Sequence, residues 1–226
     1  MKKTAALIAT AMMLTSTTAS ADAIGVYVGA QVWDMATDGS HDVGIFQDEF
    51  SYDDETQARY YIELEHPIPF IPNAKIARSE LMSQGTETTG FGDTEIDLSY
   101  TDYTLYYELF DNDLFAFDFG ITAKDLSGDI DDDNLDEIVP MLYASAQVGL
   151  PLTGLSLFAE GNFLSLDDHT FADYQAGIAY ALIDNMLIDV NLSVGYRAVT
   201  VDIDDLDGIT ADLDFDGAFA GVEVHF

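Results

Sequence analysis

"LFAFDFGITAK", Leu114–Lys124, alternates without a break. Phe115, Phe117, Phe119, Ile121 and Ala123 fall on one face, and Ala116, Asp118, Gly120, Thr122 and Lys124 on the other. Side chains that repeat every second residue belong to a strand, because a helix would repeat them every 3.6. "LIDVNLSVGYRA", Leu187–Ala198, follows the same rule, with Ile188, Val190, Leu192, Val194 and Tyr196 opposite Asp189, Asn191, Ser193, Gly195 and Arg197. A soluble sandwich would set a polar outer face against a large apolar inner one. Here the polar face is small (Gly, Ala, Ser, Thr) with an occasional charge. That composition suits a narrow, hydrogen-bonded lumen, with the apolar face turned to lipid.

Ten segments carry this pattern: 24–35, 56–66, 73–83, 94–109, 114–126, 137–150, 154–166, 171–182, 186–203 and 211–226. The third is mixed around Lys75 and Arg78. The fourth loses phase near Thr101-Asp102, which reads as a β-bulge. The connectors are of two kinds. "PIPFIPN" (67–73), "FDND" (110–113), "PLTG" (151–154) and "IDN" (183–185) are short and turn-like. "ATDGSHDVGIFQDEFSYDDE" (36–55), "QGTETTGFGD" (84–93), "SGDIDDDNLD" (127–136), "DDHT" (167–170) and "DDLDGIT" (204–210) are acidic and mostly longer. The two kinds alternate along the chain. Short turns at one rim and long loops at the other are the pattern of a transmembrane antiparallel up-and-down β-barrel with an even strand count. The expected fold is therefore all-β and ten-stranded, with both ends of the chain on the periplasmic side. Tyr60, Tyr61, Tyr103, Tyr106, Tyr107, Phe110, Tyr180 and Tyr196 lie near segment ends and are candidates for its aromatic girdles.

The first residues fit export. Lys2 and Lys3 precede an apolar run, Ala5–Leu14, and then Ala19-Ser20-Ala21. This is the three-part pattern of a secretory signal peptide, 1–21, cleaved after residue 21 or 23. Residues 22–226 then form a single barrel domain. The chain has no cysteine, so neither disulfides nor thiolate chemistry enter. No later apolar run is long enough for a membrane helix, so a membrane-bound chain must cross as a barrel. The expected location is the bacterial outer membrane, reached through the periplasm.

The formal charge is −35, from 42 acidic and 7 basic residues. Beyond the first residues only Arg59, Lys75, Arg78, Lys124 and Arg197 are basic. No basic patch exists for nucleic acid. A composition 48% hydrophobic and 12% aromatic argues against disorder despite the acidity.

The segment "GAFAGVEVHF", Gly217–Phe226, sets Ala218, Ala220, Val222, Val224 and Phe226 on one face and Gly217, Phe219, Gly221, Glu223 and His225 on the other. It resembles the C-terminal signature of outer-membrane barrels, which implies that Val222, Val224 and Phe226 act as a signal to the barrel-assembly machinery. "IGVYVGAQVWD" (24–34) and "PFIPN" (69–73) resemble a family of small, uncharacterised outer-membrane β-barrels. That family occurs in bacteria with a Gly-Gly C-terminal sorting system. The likeness would extend over most of residues 22–226 and implies no catalytic residue. Small barrels resembling OmpA or OmpW are the broader comparison.

Three constellations are candidates for function. The lumen would hold a charge network of Arg59, Glu63, Glu108, Asp118, Lys124, Glu160, Asp189, Arg197 and Glu223, with His225 near the periplasmic rim. Buried charges must be paired or hydrated. A ten-stranded barrel is far narrower than the porins, so a filled lumen is expected, with a narrow cation-favouring channel or a small-solute binding barrel as the alternative. Asp129, Asp131, Asp132, Asp133, Asp202, Asp204, Asp205 and Asp207 crowd the loops. Closely spaced carboxylates suit loosely bound Ca²⁺ or Mg²⁺, although the Gly and Glu of an EF-hand are missing. Such ions would bridge the loops to lipopolysaccharide. His41-Asp42 and Asp167-Asp168-His169 lie near the outer rim and admit a third reading, an omptin-like surface hydrolase. The expected role is structural or surface-interacting, without catalysis and without a specific metal. Its partners would be outer-membrane lipid and lipopolysaccharide. One closed barrel needs no partner strand, so a monomer is expected.

Overall fold

The computed structural model describes residues 24–43, 46–87, 93–112, 114–130, 133–166, 169–185, 187–206 and 209–226. The segment expected to be a signal peptide lies outside them. Thirteen antiparallel strands follow in chain order: β1 Gly25–Val43, β2 Phe46–Tyr52, β3 Glu55–Glu65, β4 Asn73–Ser79, β5 Met82–Glu87, β6 Asp93–Asp97, β7 Tyr100–Asn112, β8 Phe115–Ile130, β9 Asp133–Leu150, β10 Leu155–Leu166, β11 His169–Asp184, β12 Asp189–Leu206 and β13 Ile209–His225.

Ten of them close a ring, in the order β1, β3, β4, β7, β8, β9, β10, β11, β12, β13 and back to β1. The other three extend it. The first part of β1 pairs with β3, and its last residues, Ser40–Val43, pair with β2. β2 then pairs with β5, β5 with β6, and β6 with the far end of β8. Thus β2, β5 and β6 continue β3, β4 and β7 after short breaks at Asp53-Asp54, Glu80-Leu81 and Leu98-Ser99. Backbone bonds carry the ladder across the breaks: Glu80 N–H donates to Ala58 O at 2.9 Å and Leu98 N–H to Leu81 O at 2.8 Å. The barrel therefore has ten staves, as the alternation requires. The seam is sealed by Tyr27–His41 of β1 paired along β13, and by mutual bonds between Val26 and Phe226.

Two local expectations are corrected. Thr101 and Asp102 pair regularly with both neighbours; the segment is interrupted at Leu98-Ser99 instead, and its register against β8 shifts between Glu108 and Phe110. There Ser99 N–H donates to Asp97 Oδ1, and the Ser99 hydroxyl accepts from Leu81 N–H. The acidic connectors are also largely strand: residues 127–130 continue β8, 133–136 begin β9, and 204–206 end β12. Paired strand satisfies their backbone groups, which a long loose loop would leave to solvent.

The end that holds residues 24 and 226 and the short connectors is here called the turn end, and the opposite end the hairpin end. The hydrophobic face inverts between them. On β13 the outward residues toward the turn end are Val224, Val222, Ala220 and Ala218, and toward the hairpin end Asp216, Asp214 and Asp212. Its inward residues run the other way, from Glu223 and Gly221 to buried Phe219, Phe215, Leu213 and Ala211. On β12, outward Leu192, Val194 and Tyr196 give way to Thr200 and Asp202, and inward Asn191, Ser193 and Arg197 to Val199, Val201 and Ile203. β1 repeats this: outward Val28 and Val32 precede Asp34 and Asp38, and inward Gln31 precedes Trp33 and Met35.

The expectation of an apolar outer face along every whole segment thus holds only for the turn-end half. There the exposed Val, Leu, Ile and Phe form a belt too continuous for contact with water. The hairpin-end half is built like a water-soluble barrel, with Trp33, Met35, Leu98, Val139, Met141, Phe171, Val201, Leu213 and Phe215 packed inside. The last large outward side chain before the polar face is Tyr60 on β3, Tyr103 on β7, Tyr174 on β11 and Tyr196 on β12. That is one girdle. Tyr61 and Tyr106, candidates for it, point inward instead.

Candidate functional site: a tiered lumen

Below the apolar core the lumen carries a tier of buried charge. Arg59, Lys75, Lys124 and Arg197 are each 6% exposed or less. Each follows from strand phase: Arg59 is level with inward Gln57 and Tyr61, Lys124 with Thr122 and Leu126, and Arg197 with Val199. Arg78 is the exception among the five bases, and donates on the outer side to Thr101 and Ser127.

The acids opposite them come from distant staves. Glu160 of β10 meets Arg59 at 2.9 Å and Lys75 at 2.5 Å. Lys75 also lies 3.3 Å from Glu63. Asp173 of β11 accepts from Arg197 Nε at 3.1 Å and Nη2 at 3.0 Å, and from the Tyr100 hydroxyl at 2.5 Å. Lys124 sits 2.9 Å from Asp102 and 3.4 Å from Asp173. Arg197 reaches Ser79 and lies 4.9 Å from the Trp33 ring centre. Four bases and four acids (Glu63, Asp102, Glu160, Asp173) thus close the tier at neutral charge. Buried ion pairs of this kind are tolerated when each member also has hydrogen bonds. The neighbouring Thr104–Thr122–Asn162 chain, at 2.8 and 2.6 Å, fills the gap beside Lys124.

The structure brings Arg59, Glu63, Lys124, Glu160 and Arg197 of the expected network into this tier. Glu108, Asp118 and Glu223 instead line a cavity of about 430 Å³ between the tier and the turn end. Asp189 lies at the rim, 3.2 Å from His225, whose ring stacks on Tyr27 at 4.1 Å. Among the described residues no Arg or Lys pairs with these four acids. Tyrosines partly satisfy the cavity: Tyr61 donates to Glu223 at 2.7 Å, Tyr27 to Glu65 at 2.9 Å, and Tyr106 to both Glu63 and Glu65. Ser145 donates to Asp118 at 2.5 Å.

Lys75, Asp102 and Asp173 belong to the tier although sequence reasoning did not place them there. The signal was available in phase. Asp173 shares its face with Phe171 and Gln175, Asp102 with Tyr100 and Thr104, and Lys75 with Asn73 and Ser79. The misplaced bulge hid the second, and the mixed third segment hid the last.

The acidic candidates for cations are more scattered. Asp129 and Asp202 lie on β8 and β12, with Asp202 exposed on the outer face. Asp131, Asp132 and Asp207 fall outside the described residues, as do the side chains of Asp133, Asp204 and Asp205. Asp167 and Asp168 lie outside them too, and for His41, Asp42 and His169 only the backbone is described. No group of three or more acids or histidines set to hold a metal ion occurs among the described residues. Val222 on the outer face of β13 and Phe226 just beyond its end are exposed, with Val224 half-buried between them.

No family model matches the sequence, and no curated protein matches it. Solved structures do. The outer membrane protease OmpT from Escherichia coli aligns over 94% of this chain and 99% of its own, at TM-score 0.53 and 8% identity. Neisserial surface protein A aligns over 91% and 100%, at TM-score 0.35 and 13% identity. OprG from Pseudomonas aeruginosa aligns over 90% and 95%, at TM-score 0.33 and 10% identity. At such identity the likeness to OmpT is one of fold: a closed barrel of the outer-membrane type.

Proposed function

We propose that this chain is an outer-membrane barrel with a sealed lumen, and that it acts as a structural and surface-interacting protein without catalytic turnover. The turn end faces the periplasm. The apolar belt sits in the bilayer, and the hairpin end projects from the cell as an acidic, water-soluble half-barrel. The observation that carries this reading is the pairing of Glu160 with Arg59 and Lys75 across the lumen, beneath a packed apolar core. A hydrated pore needs a continuous wet path, and this tier spends its charge on itself.

The outward face of the hairpin end, with Asp34, Asp38, Asp202, Asp212 and Asp214, would meet other molecules. Loosely held Ca²⁺ or Mg²⁺ would link it to lipopolysaccharide. On the same reading Val222, Val224 and Phe226 serve the assembly machinery, and the narrower likeness to the small-barrel family of Gly-Gly-sorting bacteria remains part of the proposal. Reconstitution in planar bilayers tests the central point. Silence under applied voltage is expected. Discrete cation-selective steps that change on Glu160→Gln would overturn the sealed lumen in favour of a channel. Hydrolysis of a surface substrate that disappears when His41 and His169 are both replaced would overturn the non-catalytic reading.

A further inference from the structure

The rim at the turn end has five corners, spaced two staves apart: the β3–β4, β7–β8, β9–β10 and β11–β12 turns and the β13–β1 seam. Each carries an exposed large apolar side chain: Phe70, Phe110, Leu152, Leu187 and Phe226. Phe70 and Leu152 are the most exposed, at 95% and 107%. Among the described residues they are also the non-glycine residues with positive φ, at 69° and 67°. A left-handed backbone strains a large side chain, whereas Gly or Asn adopts it readily. A strained residue that also exposes apolar surface to water points to a role in contact. The β3–β4 turn presents Phe70 on a stiff support. It contains Pro67, Pro69 and Pro72, His66 N–H donates to Asn73 Oδ1 at 3.0 Å, and Ile68 N–H donates to His66 Nδ1 at 3.2 Å.

Two tyrosines give the height of these tips. Tyr107 points outward, since Tyr106 beside it points in, and its hydroxyl donates to Phe70 O at 3.0 Å. Tyr180 is outward on β11, and a Cβ on Gly154 would lie 3.4 Å from its ring. Outward tyrosines sit at headgroup level in membrane barrels. The lower girdle is therefore level with the turns themselves. "PIPFIP" (67–72) and "PLTG" (151–154) contain no charged residue, so at these two turns the apolar belt runs on into the tips.

We propose that the turn end is an interfacial anchor, seated in the headgroup layer of the periplasmic leaflet, with Phe70 and Leu152 inserted among the phospholipids. This rests on the membrane placement proposed above. The spread of the tips selects lipid as their partner. A bilayer surrounds the barrel and meets all five corners at once, whereas a docked protein would need a patch on one side. Immersion also takes the exposed apolar area out of water, which offsets the backbone strain. The anchor fixes how deep the barrel sits beneath its heavy acidic half.

The chain has no cysteine, so single labels can report depth. Phe70→Cys, Leu152→Cys, Val194→Cys and Thr200→Cys each carry a bimane label in phosphatidylcholine nanodiscs, which leave both ends of the barrel open to solvent. Acrylamide, a neutral quencher, probes contact with water, and a headgroup-nitroxide lipid probes the interface. The Phe70 and Leu152 labels should be quenched several-fold less by acrylamide than the Thr200 label, and more by the nitroxide lipid. A second test needs no label. Asn relieves the strain of a positive φ, so Phe70→Asn with Leu152→Asn should stabilise the barrel if the tips face water. Seated in lipid, the same pair should lower the urea midpoint in phosphatidylcholine vesicles. Heat-modifiable gel migration certifies that each variant is folded. Tip labels as open to acrylamide as Thr200, or a midpoint unchanged or raised by the Asn pair, would overturn the anchor and leave the tips to a periplasmic protein. Protection seen only with two barrels per disc would overturn it in favour of a second copy. A Val194 label open to acrylamide would overturn the membrane placement itself, whereas a lipid-quenched Val194 label with tips in water overturns the anchor alone.

Discussion

Arg59 and Glu160 join opposite walls of the barrel at 2.9 Å. They lie on β3 and β10, with four staves between them on either side of the ring. A contact across the full diameter is available only because both side chains are long and the barrel is narrow. With Lys75 bound to the same carboxylate, this cross-brace ties three staves that share no backbone ladder with β10 in the case of β3 and β4.

Glu160→Gln should therefore be strongly destabilising. It leaves Arg59 and Lys75 buried with too little negative charge. Removing one partner from a buried ionic group costs about 3–5 kcal/mol. The measurement is the temperature at which the folded band is lost on unheated gels. Asp173→Asn should behave alike, since Arg197, Lys124 and Tyr100 all converge on that carboxylate. A melting temperature unchanged in both would mean the tier is hydrated.

The inverted face predicts opposite outcomes for adjacent residues of β13. Phe215 is fully buried in the hairpin-end core, and Phe215→Ala should cost about 3–5 kcal/mol. Asp214→Ala, one residue away on the outer face, should stay within about 0.5 kcal/mol. Chemical denaturation of the two variants gives the comparison.

Height on the outer wall should show in β12. Val194 and Thr200 both point outward, three positions apart on the same face, but Val194 lies in the apolar belt and Thr200 beyond Tyr196. Val194→Arg should cost about 2–4 kcal/mol in a bilayer, and Thr200→Arg little. Folding efficiency into lipid vesicles measures both. Equal penalties would move the membrane boundary toward the hairpin end.

Gly29 is a close-approach position. A Cβ placed there would lie 2.1 Å from the Tyr61 ring. Gly29→Val must push Tyr61 aside and break its hydrogen bond to Glu223. Loss of at least about 1–3 kcal/mol is expected, as for other overpacked sites. Tyr61→Ala in the same background should restore part of it, which a double-mutant cycle would reveal.

Deleting Phe226 removes its mutual backbone bonds with Val26 at the seam. The yield of heat-modifiable barrel should fall more than on deletion of an acidic connector residue such as Asp207, which lies between β12 and β13. Membrane fractionation after expression compares the two.

The alternation that is clearest in Leu114–Lys124 and Leu187–Ala198, repeated over ten segments, was enough to determine strands, the ten staves, and for most residues which side chains share a face. That information is local, because the period of a strand is set by its own backbone geometry. The sealed lumen was only partly legible. Arg59 and Glu160 each have a readable phase, but their meeting depends on the ring order, which places β3 opposite β10. Whether Glu108 joins an ion pair or faces a cavity depends on its height in the barrel, and height is fixed by the stagger between strands. Asp102 and Asp173 entered the tier for the same reason. The inversion of the apolar face lies between these cases. Val194 and Val201 carry it openly in the sequence, one out and one in, but equal hydrophobicity does not say whether lipid or a packed core receives a side chain. Only closure of the barrel decided that, by enclosing one set of apolar residues and leaving the other outside.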